Sequence, residues 1–197
     1  MGRTGMMSDQ LCLIALGANA QSRAGCPART IRAAIAHLDA GPGRITAVSR
    51  LYRTPAFPPG SGPDFVNGAA ALRMKGDAGA VLARLHEIEA LFGRERTIRW
   101  GQRTLDLDLI AIGGAVLPDA ETYRRWRDLD PAAQRDSTPE QVILPHPRMQ
   151  DRAFVLVPLA EIMSGILPDW RHPVSGRSVP EMLEALPRED VETVLPI

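Results

Sequence analysis

The sequence predicts an α+β fold with a ferredoxin-like βαββαβ core, followed by an added C-terminal hairpin and helices. Three observations carry that expectation. Apolar runs of strand length are bounded by Gly, Asn and Pro, and two segments repeat their apolar residues with helical spacing. Their order is strand, helix, strand, strand, helix, strand.

LCLIALGAN (11–19) is a short apolar run ending in Gly and Asn, a buried strand entering a turn. PARTIRAAIAHLDA (27–40) places Ile31, Ala34, Ile35 and Leu38 on one helical face, with Pro at its start and Gly41 after it. RITAVSRLYRTPAF (44–57) reads as one strand ending at Pro55, and FVNGAAALRM (65–74) as its hairpin partner across the loop PPGSGP (58–63). DAGAVLARLHEIEALFGR (77–94) is the clearest helix, with Val81, Leu82, Leu85, Ile88, Leu91 and Phe92 sharing a face and Gly93 closing it. LDLDLIAIGGAVL (105–117) reads as a strand, a Gly-Gly turn and a short return strand; FVLVPLAEIM (154–163) and VPEMLEAL (179–186) read as later helices.

Composition excludes several classes. The chain has 197 residues, with Lys+Arg and Asp+Glu both 23, so no basic excess marks a nucleic-acid or membrane-surface binder. Cys12 and Cys26 are too few for a disulfide framework and fit free thiols in a reducing cytoplasm. The four histidines are scattered without zinc spacing, and no apolar run reaches membrane-spanning length. MGRTGMMSDQ lacks the apolar centre of a signal peptide, so residues 1–10 are expected to be a flexible tail. Residues 11–197 are expected to form a single domain. The charged stretch PDAETYRRWRDLDPAAQRDSTPE (118–140) is expected to be a surface insertion, dispensable for folding because it carries few apolar residues.

Two aspartates inside the apolar strand ask for a reason. Period-two alternation puts Asp106 and Asp108 on one face and Leu105, Leu107 and Leu109 on the other, with the two carboxylate-bearing Cα atoms about 6.6 Å apart. Bare, the carboxylates would repel. A divalent cation removes the conflict, because magnesium takes one or two carboxylates together with substrate phosphates. The competing reading is a solvated strand face paired with Arg103. Arg94, Arg96, Arg99 and Arg103 lead into the pair, and guanidinium is suited to multidentate phosphate recognition. No Walker-type loop is present and Lys75 is the single lysine, so arginine must supply the positive charge to any nucleotide.

These residues bring a family into view. LGAN (16–19), SRLYRTPAF (49–57), PDFVN (63–67), IEALFGRER (88–96), RWGQRTLDLDL (99–109) and LPHPRMQDRAFVLVPLAEI (144–162) resemble 6-hydroxymethyl-7,8-dihydropterin pyrophosphokinase, in that family's order. The resemblance implies transfer of the pyrophosphoryl group of ATP to the pterin hydroxymethyl group in folate biosynthesis. It implies a cytoplasmic, monomeric enzyme that takes two small-molecule substrates, ATP and 6-hydroxymethyl-7,8-dihydropterin, and neither nucleic acid nor membrane. Asp106 and Asp108 resemble the pair that binds two Mg2+ ions, and Arg94 and Arg103 the catalytic arginines. Thr54, Pro55, Phe57, Phe65 and Asn67 resemble the pterin pocket, with Phe65 and Phe154 as stacking faces and Trp100 in the closing loop. Glu89, Arg96, His146 and Arg152 resemble nucleotide-side residues. The chain departs from the family at Gln102, where proline is usual, and at Ala18, where serine is commoner.

A flat, polar pterin is well served by two aromatic faces and an amide that both donates and accepts, and Asn67 is otherwise ill-suited to a strand. Rival readings are a single-stranded RNA module, which two aspartates would oppose, and a metal-dependent phosphodiesterase, which would release AMP without a pterin.

Overall fold

The computed structural model describes residues 9–56, 60, 62–93, 103–130, 133, 137 and 139–197. β1 (Gln10–Ala18) is apolar on both faces, and it is buried along most of its length because it lies between two other strands. It pairs antiparallel with β4 (Phe65–Met74) on one side and with β5 (Asp106–Ile112) on the other. Beyond β4 come β2 (Gly43–Val48) and β3 (Tyr52–Thr54), both antiparallel to it, and β6 (Leu195–Pro196) follows on β3. The sheet is therefore mixed with helices but antiparallel throughout its named pairings, with order β5-β1-β4-β3-β6.

Helices cover both faces. α1 (Pro27–Asp39) starts on Pro27 and buries Ile31, Ala34 and Leu38. α2 (Ala78–Leu91) is capped by Asp77, whose carboxylate accepts from the Ala80 amide at 2.8 Å. Both pack on the face that carries Ile14, Leu16, Leu72, Leu107 and Leu109. On the opposite face Leu13, Ala69, Ala71 and Ala111 meet Val155, Leu156, Leu159 and Ile162 of α4 (Ala153–Ile166) and Met182 of α5 (Val179–Glu184). α3 (Ala120–Arg127) lies between β5 and α4 in sequence, and α6 (Arg188–Glu192) precedes β6.

Three differences from the sequence expectation have clear causes. The strand expected over 44–57 is broken at 49–51, because Ser49 Oγ takes the Ala69 amide at 2.9 Å and replaces a ladder bond there. The return strand after the Gly-Gly turn shrinks to one bridge, Leu117 with Leu144, whose two amide bonds measure 2.9 and 3.0 Å; it forms no hairpin with β5. The 118–140 segment is more than surface. Tyr123 of α3 is wholly buried, and its hydroxyl lies 2.9 Å from Nε2 of the equally buried His172. The expected tail falls almost entirely on residues 1–8, which lie outside the described residues.

Candidate active site

β5 enters the sheet at the two aspartates. Leu107 and Leu109 join the α1/α2 core, so alternation turns Asp106 and Asp108 to the face covered by α4. Register then sets their neighbours. Asp106 stands opposite Gly17, and Gly17 stands opposite Asn67; Asp108 stands opposite Ala15, and Ala15 opposite Ala69. Small residues thus floor the space between the carboxylates and Asn67. A Cβ added at Gly17 would lie 3.1 Å from Asn67 Oδ1 and 3.8 Å from Asp106 Cβ. Asn67 is 5% exposed, and its Nδ2 donates to Thr54 Oγ1 at 2.7 Å, which fixes the amide plane.

The positive charge arrives from two directions. Arg103 Nη1 donates to Asp106 Oδ2, a salt bridge with both side chains partly covered. The backbone of Arg103 is held by Asn19: its amide donates to Asn19 Oδ1 at 2.7 Å, while Asn19 N and Ala20 N donate to its carbonyl at 2.9 and 3.1 Å. Asn19 Nδ2 also donates to the Pro63 carbonyl at 3.3 Å, so one buried asparagine ties the arginine to the loop before β4. Sequence reading had only the Asn at the end of a buried strand as a hint of this. Among the described residues, no side chain hydrogen-bonds or ion-pairs with Asp108.

Arg152 caps the start of α4, with its guanidinium 5.7 Å from the centre of the Phe154 ring. Burial lowers its pKa and Arg148 adds to that, while Asp108 and Asp106 oppose it. It remains a cation, as guanidinium does in proteins. His146 donates its amide to the Ile110 carbonyl at 2.7 Å, which pins it to β5, and its Nδ1 accepts the Arg148 amide at 3.1 Å. Burial first, then Arg152 and Arg148, bring the His146 pKa down to about 3 against the pull of Asp106. The ring is therefore neutral at pH 7, with its proton on Nε2 as a donor.

The expected site residues divide as follows. Arg103, Asp106, Asp108, Asn67, Thr54, His146 and Arg152 are tied by register, contact or electrostatics into one neighbourhood. Phe65 is half-buried opposite Thr54, Pro55 is exposed, and Phe154 is 38% exposed at the head of α4. Glu89 is placed elsewhere. It is 2% exposed in the α2 layer, and its Oε1 accepts the Leu107 amide at 2.8 Å, because β5 is an edge strand with backbone groups to satisfy. That bond anchors β5 to α2. Phe57, Arg94, Arg96 and Trp100 lie outside the described residues.

The donor set fits a magnesium site of the kind that shares its ligands with phosphate. Two carboxylates project from one face of β5, and magnesium takes one or two carboxylates together with substrate phosphates.

A sequence model of 7,8-dihydro-6-hydroxymethylpterin-pyrophosphokinase (HPPK) matches residues 13–164. The chain belongs to this family. It is 38% identical over 184 residues to the 2-amino-4-hydroxy-6-hydroxymethyldihydropteridine pyrophosphokinase of Pseudomonas aeruginosa, covering 93% of this chain and 96% of that one. It is also 38% identical over 153 residues to the enzyme of the same name from Synechocystis sp., covering 78% of this chain and 64% of that relative. HPPK-DHPS of Plasmodium falciparum superposes with a TM-score of 0.61 at 13% identity, over 92% of this chain and 45% of that chain. At that identity the likeness is one of fold. The chain thus spans less than two thirds of the Synechocystis HPPK and under half of the Plasmodium protein.

Proposed function

We propose that the protein is an ATP-dependent pterin pyrophosphokinase of folate biosynthesis. It transfers the β,γ-pyrophosphoryl group of ATP to the hydroxymethyl group of 6-hydroxymethyl-7,8-dihydropterin and releases AMP. The observation that carries this reading is the row Asp106, Gly17, Asn67, which sets a carboxylate and a pterin-reading amide on either side of one glycine. The interleaving of β4 between β1 and β2/β3, with β5 outside β1, supports a ferredoxin-like core as the scaffold.

Thr54 and Asn67 present the polar edge that a pterin needs, and Phe65 and Phe154 supply the aromatic faces. Arg103 and Arg152 flank the carboxylates where phosphate charge would gather, and neutral His146 adds an Nε2–H donor. Two magnesium ions held by Asp106 and Asp108 would neutralise phosphate charge between the co-substrates. The residues themselves act mainly by positioning and electrostatics, as expected for phosphoryl chemistry. Among the described residues no helix is long and apolar enough to cross a membrane.

The test is AMP release from ATP with and without the hydroxymethyl pterin, in magnesium and in EDTA. AMP that requires both pterin and magnesium supports the proposal. AMP at the same rate without pterin would make the protein a phosphodiesterase, and no AMP with all components present would remove the reading altogether.

A further inference from the structure

β3 carries Thr54 on only three residues, and it meets β4 through three register pairs, the last being Thr54 with Phe65. A strand that short, left at the edge of a sheet, opens at little free-energy cost. It is not left at the edge. β6 pairs antiparallel on its far side, Tyr52 with Pro196 and Arg53 with Leu195, and Ile197 N donates to the Leu51 carbonyl at 3.0 Å. Alternation of the antiparallel ladder makes Arg53–Leu195 a hydrogen-bonded pair and Tyr52–Pro196 a non-bonded one, so the missing proline N–H costs no rung.

The residue before β6 anchors it. Val194 is 7% exposed and packs with Tyr52 of β3 and Ala153 of α4. Ala153 lies between Arg152 and Phe154, so one small cluster seats both the strand with Thr54 and the helix start with Phe154. Tyr52 Oη also donates to Glu161 Oε2 at 2.7 Å, which ties the same strand to the body of α4. The outer residues bury little: Leu195 is 46% exposed and Ile197 60%. Their contribution is backbone pairing, which orients β3 more than it adds to the core. The family match ends at residue 164, so this brace is built from sequence beyond it.

We infer that residues 194–197 are a positioning brace for β3 and thereby set the affinity of the site for its pterin. The inference rests on the proposed placement of the pterin at Thr54 and Asn67. Neither Val194 nor Leu195 belongs to the binding machinery; both act through Tyr52 and Arg53.

The experiment compares Val194→Ala and Leu195→Pro with the unaltered protein, using three readouts. These are hydrogen exchange at the Arg53 amide, the Kd for hydroxymethyl pterin beside a non-hydrolysable ATP analogue, and the Kd for that analogue alone. The expected result is faster exchange at Arg53 and pterin binding about tenfold weaker, with nucleotide binding unchanged, whereas the conservative Val194→Ile keeps the pterin affinity of the unaltered protein. Val194→Ala keeps the test open should Leu195→Pro fail to fold. Unchanged exchange at Arg53 overturns the brace. Faster exchange with unchanged pterin affinity overturns its positioning role, and equal weakening of both ligands reduces it to general stability. Asn67→Ala separates the underlying reading: if it leaves pterin affinity unchanged, the pterin is not at this place, whatever the brace does.

Discussion

Asp106 and Asn67 face one another across a single residue, Gly17, in one row of the sheet. Two strand spacings put their backbones about 9.6 Å apart, and the absent side chain between them leaves the floor open. Gly17 is not among the glycines with positive φ, so the position demands space and not an unusual backbone. Gly17→Ala would press on the Asn67 amide at 3.1 Å and should weaken pterin binding measurably. Gly17→Val should lower kcat/KM for the pterin by about 10²-fold, the scale expected of a substrate displaced by about an ångström. Calorimetry and steady-state rates check this; a fully active Gly17→Val would mean that the substrates do not meet over this row.

The two aspartates should differ in what they do for stability. Asp108 has no hydrogen-bonding or ion-pairing side chain among the described residues, whereas Asp106 is bridged by Arg103. Asp108→Asn breaks no hydrogen bond, and the relief of repulsion between like charges is offset by loss of the carboxylate that most supports the buried Arg152 cation, so the melting temperature should change little. Asp106→Asn removes a charge-assisted bond and should cost about 1–2 kcal/mol. Both should lower turnover by about 10²-fold or more if the charge stabilises the transition state by about 3 kcal/mol. Thermal melts paired with AMP release decide it. Two active but easily unfolded variants would make the pair structural.

The candidate site stood out in the sequence where a residue sat in the wrong company. Two aspartates in an apolar strand and an asparagine in another announced themselves by their cost, and alternation told which face they share. What stayed hidden depends on register or on long-range contact. Gly17 acquires its role only once β1 lies between β4 and β5, and Asn19 only once the Arg103 backbone returns beside it. The break at 49–51 arises from a Ser49 side chain that competes with the ladder, which no hydrophobic pattern records. β6 is two residues long and too short to carry a periodicity.

The 118–140 segment is anchored by a contact of the same hidden kind. Tyr123 and His172 are 49 residues apart in sequence, and both have 0% exposure. Deleting the segment should therefore destabilise the protein, contrary to what its charged composition suggests. Tyr123→Ala should cost about 3–5 kcal/mol by the cavity it leaves. Tyr123→Phe should cost about 1–3 kcal/mol by leaving the buried His172 Nε2–H without its hydroxyl partner. Chemical denaturation measures both, and a deletion that melts like the parent would show that α3 merely rests on the surface.

His172 should make stability fall on mild acidification. Its Nδ1 accepts from the Val174 and Ser175 amides at 3.3 and 3.2 Å, so the ring proton sits on Nε2 and is donated to Tyr123 Oη. A second proton would have to enter where two amides already point. Burial foremost, and then the charge of Arg127, lower its pKa to about 4. The sign follows from counting protons. The unfolded chain takes up a proton as pH falls through about 6.5, while the folded chain resists until about 4. Between those values the unfolded state binds more protons, so stability is full above pH 6.5 and is lost progressively down to the folded pKa, by at most about 1.4 kcal/mol per pH unit. His146, held at about 3, adds a loss of the same sign that starts at the same pH and continues down to about 3. Denaturation midpoints at pH 7.5, 6.5, 5.8 and 5.2 should therefore decline in the parent, and His172→Gln, which cannot titrate, should decline less steeply. A parallel decline in the two proteins would show that the buried His172 plays no part in the acid sensitivity.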